Sequence, residues 1–240
     1  MPTTRTETVT ASDGGTFATH LTLPDAGEGP GILLLQEIFG VNDFLLGKAG
    51  ELARAGYVVS CPDVFWRVQP GVSLPHDAAS LQEAFGLMSR YSDEVPQETK
   101  VADLLAALSE LQGTAEVNRG VAAMGYCLGG MLAYLVAAHG DVDALVSYYG
   151  SGIADMLDIS GGVACPVLFQ FGGSDPYIAR EQIDAIESCF KDRPDVEVRV
   201  EPGAGHAFEN LLAPQFADPD AASRSWPHTL AWLSHNLPAA

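Results

Sequence analysis

The chain has 240 residues, 47% of them hydrophobic and 18% charged, with a mean hydropathy of +0.12. That composition buries a sizeable core and excludes intrinsic disorder. Twelve Lys+Arg against 31 Asp+Glu leave a net charge of −19, a field that repels phosphate backbones and anionic lipid headgroups, so neither nucleic acid nor a membrane is an expected partner.

Short apolar runs punctuated by Gly, Pro and Asp alternate with longer segments of helical period, which predicts an α/β class with a largely parallel sheet. Residues 6–10 and 17–23 read as an antiparallel strand pair at the sheet edge, turned at Asp13-Gly14-Gly15. Residues 31–36 form a buried central strand, 44–55 a helix closed by Gly56, and 57–61 the next strand. Residues 62–76 carry Pro62, Pro70, Gly71 and Pro75 and are expected to form a long irregular loop that roofs a pocket. Helices over 78–91 and 97–112 follow. Strands at 119–124, 144–149, 166–171 and 196–201 then alternate with helices at 128–139, 179–190 and 220–236, the last expected to kink at Pro227. No internal repeat or linker interrupts this pattern, so residues 1–240 read as a single domain.

The N-terminus lacks the apolar stretch of an export signal, and no apolar run is long enough to span a bilayer, so a soluble, cytoplasmic protein is expected. Cys61, Cys127, Cys165 and Cys189 lack the close spacing of a metal or redox motif, so no metal site is expected. Cys61, Cys165 and Cys189 read as small buried thiols. His20, His76, His139, His228 and His235 read as surface or core histidines.

Gly125-Tyr126-Cys127-Leu128-Gly129 falls where a strand ends and a helix begins. That is the setting of a nucleophile elbow, with Cys in place of the usual Ser. Asp175 follows the next strand but one, and His206 follows the last, so the order Cys, Asp, His is that of the α/β-hydrolases. In that arrangement His206 takes the thiol proton and Asp175 fixes its tautomer. The backbone N–H groups of Leu128 and Ile38 would supply an oxyanion hole. Glu37 stands at the end of the central strand, where its carboxylate would face the thiol. Phe39, Phe85, Tyr148, Tyr149 and Asn210 are candidate substrate-binding residues.

Gln36-Glu37-Ile38-Phe39-Gly40-Val41-Asn42, Cys61-Pro62-Asp63, Gly125 to Gly130, Tyr148-Tyr149-Gly150 and Ala204-Gly205-His206-Ala207-Phe208 resemble the dienelactone hydrolase family over most of the chain. The resemblance implies an α/β-hydrolase fold without a large cap domain, a Cys127–Asp175–His206 triad, a small-molecule ester or lactone substrate, and no cofactor. It also implies that Glu37 pairs with the resting Cys127 thiol and assists its deprotonation. Thioester or peptide hydrolysis, or lactone sensing without turnover, are the other readings of the scaffold. Members acting on dienelactone use two arginines for the substrate carboxylate. Asn210 stands four residues past His206, and Ala78, Ala79 and Ser80 stand at the other position, which leaves Arg67 and Arg90 as the nearest arginines in sequence. A monomer or small homo-oligomer is expected.

Overall fold

The structure, a computed structural model, describes residues 2–239. One eight-stranded sheet forms its centre, built from β1 (Thr3–Thr10), β2 (Thr16–Leu23), β3 (Gly29–Leu35), β4 (Val58–Pro62), β5 (Val117–Tyr126), β6 (Ala144–Tyr148), β7 (Val167–Gly172) and β8 (Val196–Glu201). The strand order is β1-β2-β4-β3-β5-β6-β7-β8. From β4 to β8 every pairing is parallel, whereas β1 and β2 pair antiparallel, as do β2 and β4. A mostly parallel sheet needs cover on both faces. That cover comes from α1 (Asp43–Arg54), α2 (Ala78–Glu94), α3 (Gln97–Gly113), α4 (Leu128–His139), α5 (Arg180–Cys189) and α6 (Pro219–Asn236).

Burial follows position in the sheet. Every residue of β3, β4, β6 and β7 is buried, which explains why these strands read as unbroken apolar runs. The edge strands β1 and β8 are largely exposed or half-buried. Helix starts are set by local chemistry. Asn42 caps α1 by accepting from Leu45 N at 3.2 Å, and Asp77 caps α2 by accepting from Ser80 N at 2.8 Å. α4 is buried over nearly its whole circumference, because it lies on β5 and β6 and is covered in turn by α3 and a 3-10 helix (Ile153–Gly162).

Two expectations need correction. The 3-10 helix was not anticipated, since its ten residues are too few for a clear helical period and end in Gly161-Gly162. Cys189, expected to be a buried thiol, is exposed near the end of α5. No helix among the described residues is long and apolar enough to cross a membrane.

Candidate active site

Parallel strands all end at the same rim of the sheet, where open α/β folds gather their ligands. Glu37 lies two residues past β3, Cys127 one past β5, Asp175 three past β7 and His206 five past β8. Four segments distant in sequence thus converge on one place because the strands between them are adjacent.

The turn at Cys127 is tight and strained. Cys127 has φ 55° and ψ −118°, a conformation that costs a non-glycine residue on the order of 1–3 kcal/mol. Its neighbours must be glycine: a Cβ on Gly125 would strike the Gly129 carbonyl, and one on Gly129 would strike the Leu35 carbonyl. Among the described residues, the other two non-glycine residues with positive φ are Tyr149 (38°) and Ala207 (58°). All three flank the same rim, so backbone strain is concentrated at this site.

His206 Nδ1 lies 2.7 Å from Asp175 Oδ2, and the other carboxylate oxygen accepts from Tyr177 N at 2.8 Å. With Nδ1 occupied, Nε2 is the ring nitrogen left for the sulfur. The imidazole is clasped between Tyr149 and Tyr177, with ring centroids 5.0 and 5.1 Å away. Burial alone would depress the His206 pKa, but the Cys127 thiolate and the Asp175 carboxylate, by charge and hydrogen bond, raise it to about 10. Cys127 also begins α4, where the helix dipole favours an anion. The N–H groups of Ile38 and Leu128 have no acceptor among the described residues.

Glu37 is nearly inaccessible, and three side chains surround its carboxylate. Asn210 Nδ2 donates to Oε2 at 2.8 Å, His76 Nε2 lies 3.2 Å from the same oxygen, and the Tyr149 hydroxyl donates to Oε1 at 3.4 Å. No hydrogen bond joins Glu37 to Cys127 among the described residues, which departs from the resting pair that the resemblance implied. His76, read as a surface or core histidine, is buried, its side chain 6% exposed, and its Nε2 also lies 2.8 Å from Asn210 Nδ2.

Cys127, His206, Glu37, Ile38 and Leu128 share the wall of a cavity of about 410 Å³. Phe39 and Phe85 line it as expected, joined by Leu81, Met88, Met131 and Phe216. Tyr148, Tyr149 and Asn210, expected against the substrate, are instead fully buried behind the wall. Tyr148 bonds Thr229 at 2.6 Å, while Tyr149 and Asn210 hold Glu37. No Lys or Arg lines the cavity. Arg67 is held by Asp103 at 2.6 and 2.7 Å and by Asp13 at 2.8 Å, and the exposed Arg90 bonds Glu94 and the Val68 carbonyl. Of these, Tyr177 and Met131 had no signal in the sequence, because each is placed by a turn or a helix face rather than by a motif.

A mostly parallel sheet flanked by helices, with a thiol on a strained strand-to-helix turn beside a carboxylate-bound imidazole, defines an enzyme of the α/β-hydrolase class. More narrowly, the chain belongs to the dienelactone hydrolase family, whose model matches residues 17–237. It is 36% identical over 231 residues to a carboxymethylenebutenolidase of Pseudomonas sp. strain P51, covering 96% of this chain and 94% of that one. A carboxymethylenebutenolidase of Pseudomonas putida is 37% identical over 197 residues, 82% of each chain. Among solved structures, a dienelactone hydrolase-like promiscuous phosphotriesterase from metagenomic libraries superposes with a TM-score of 0.80 at 26% identity, covering 98% of this chain and 99% of that one.

Proposed function

We propose that the enzyme hydrolyses neutral carboxylic esters or lactones bearing an apolar group, using Cys127 as nucleophile, His206 as acid and base, and Asp175 as its orienting partner. The single observation that carries this reading is the placement of the Cys127 sulfur, on a strained turn beside His206 and open to an apolar cavity.

The steps follow from that geometry. The proton of the Cys127 thiol passes to His206, whose charged form is stabilised by the carboxylate 2.7 Å away. The sulfur adds to the substrate carbonyl carbon, and the electron pair of the C=O bond moves to oxygen. That oxyanion meets the free N–H groups of Ile38 and Leu128. The tetrahedral intermediate collapses by breaking the bond to the leaving oxygen, which takes the proton from His206. In a lactone that oxygen stays tethered to the acyl group. Water, deprotonated by His206, then cleaves the thioester and restores the thiol.

Electrostatics support a neutral substrate. A substrate carboxylate buried in this cavity would lose hydration without gaining a Lys or Arg partner, a penalty of several kcal/mol, and it would stand in a wall that already holds Glu37. The apolar lining instead fits alkyl or aromatic substituents. The test is kcat/KM across neutral lactones, short acyl esters and carboxylated lactones, with Cys127→Ser as control. Neutral substrates should lead. Carboxylated lactones turned over faster than all neutral ones would refute the substrate class.

A further inference from the structure

We infer that the face of α2 turned to the cavity is an acyl-chain groove, which makes the preferred substrates of this site esters of medium-chain carboxylic acids. This role presupposes Cys127 as the nucleophile and identifies which part of the substrate the apolar wall holds.

α2 carries two stripes of side chains. Ala84, Leu87 and Tyr91 are buried against the protein, with the Tyr91 ring centroid 5.4 Å from that of Phe65, just past β4. Leu81, Phe85, Met88 and Ser92 stand at i, i+4, i+7 and i+11, a single helix face, and all four line the cavity. Phe85 keeps 39% of its surface exposed, which leaves a large apolar area for a ligand to cover.

The fold sets the direction of the groove. α2 begins just after His76, whose ring centroid lies 4.2 Å from that of Phe39, so Leu81 is at the catalytic end. The far end is tied to the loop after β4, where Arg90 donates to the Val68 carbonyl at 3.0 Å. β3 and β4 lie on one side of β5, which leads to Cys127, while β7 and β8, which lead to Asp175 and His206, lie on the other. The leaving oxygen must sit beside His206 to take its proton, so the leaving group occupies the β7–β8 side. The acyl chain, on the opposite side of the carbonyl carbon, is left the β3–β4 side, along α2.

Helix rise sets the length. Leu81 to Met88 spans about 10 Å along the axis. An extended chain advances about 1.2 Å per bond, since three backbone bonds of a peptide cover ~3.5 Å, so about eight bonds fill that stretch. Beyond it the lining turns polar at the exposed Ser92, whose carbonyl accepts from Lys100 Nζ at 3.2 Å, and further methylenes gain little.

The test is kcat/KM of the full-length enzyme for two series, 4-nitrophenyl esters of acetic to dodecanoic acid and acetates of ethanol to dodecanol. The acyl series should climb about fourfold per methylene to octanoyl or decanoyl and then level, fourfold being about 0.8 kcal/mol per buried methylene. The acetate series should stay flat. Met88→Trp, which fills the far end of the groove, should lower the octanoyl-to-acetyl ratio about tenfold, and Phe85→Ala should lower it about threefold, with melting curves to confirm folding. A flat or falling acyl series, a rise confined to the acetate series, or an unchanged ratio in both variants would each overturn the groove. Turnover retained by Cys127→Ala would instead refute the nucleophile on which it stands.

Discussion

Two buried carboxylate–imidazole pairs lie beyond the strand ends, and they differ in what satisfies their remaining polar atoms. In Asp175–His206 the contact is 2.7 Å, the second carboxylate oxygen is satisfied by a backbone N–H, and one ring nitrogen remains for the sulfur. In Glu37–His76 the contact is 3.2 Å, and the same imidazole nitrogen lies 2.8 Å from the Asn210 Nδ2 that donates to the carboxylate. The same two chemical groups thus stand in different hydrogen-bonding surroundings. What differs is who satisfies the remaining lone pairs, a matter of neighbours rather than of residue type.

If that division is right, the two sides respond differently to mutation. The largest expected effect is on the first pair: His206→Ala should lower kcat/KM by at least ~10³, since the sulfur loses both its base and the acid for the leaving oxygen. Asp175→Asn should cost ~10² or more, through the tautomer and charge of His206. A steady-state comparison of both variants with wild type would check these values, and an unchanged His206→Ala enzyme would erase the distinction between the pairs.

Selectivity should move next. Phe85 lies on the cavity wall at 39% exposure, so Phe85→Arg places a cation there without burying it. Charge-assisted pairing should raise kcat/KM for carboxylated lactones relative to neutral ones by about tenfold. Competition between one substrate of each kind gives that ratio directly.

The smallest effect is on stability against pH. Below about pH 6.5 His206 carries its proton in folded and unfolded chains alike, so the stabilisation from its raised pKa is fully present there. It is lost as pH rises through the folded value of about 10. Asp175→Asn removes part of what raises that value. The fall in Tm between pH 6 and pH 10 should therefore shrink by roughly 2–4 °C in the variant, as scanning calorimetry would show.

The two pairs also differ in how far sequence alone revealed them. Cys127, Asp175 and His206 were legible because each follows a strand, and strand ends in a parallel sheet converge by topology. The elbow glycines carried a steric signal that the Leu35 and Gly129 carbonyls explain. His76 was not legible. It sits in the irregular loop ahead of α2, where no period fixes a side chain's direction, and it meets Asn210, 134 residues away. Tyr148, Tyr149 and Asn210 are buried and do not line the cavity, and polarity and motif position do not reveal which face of a turn is inward. Strands were readable where burial is complete and the edges antiparallel. The 3-10 helix was too short to register.

The most direct test of the central claim is to quench a reaction with a neutral ester during turnover and locate the acyl group by peptide mass spectrometry. The account predicts the acyl mass on the peptide carrying Cys127 and on none carrying Cys61, Cys165 or Cys189, with turnover lost in Cys127→Ala. An acyl group found on another residue, with Cys127→Ala still active, would contradict it.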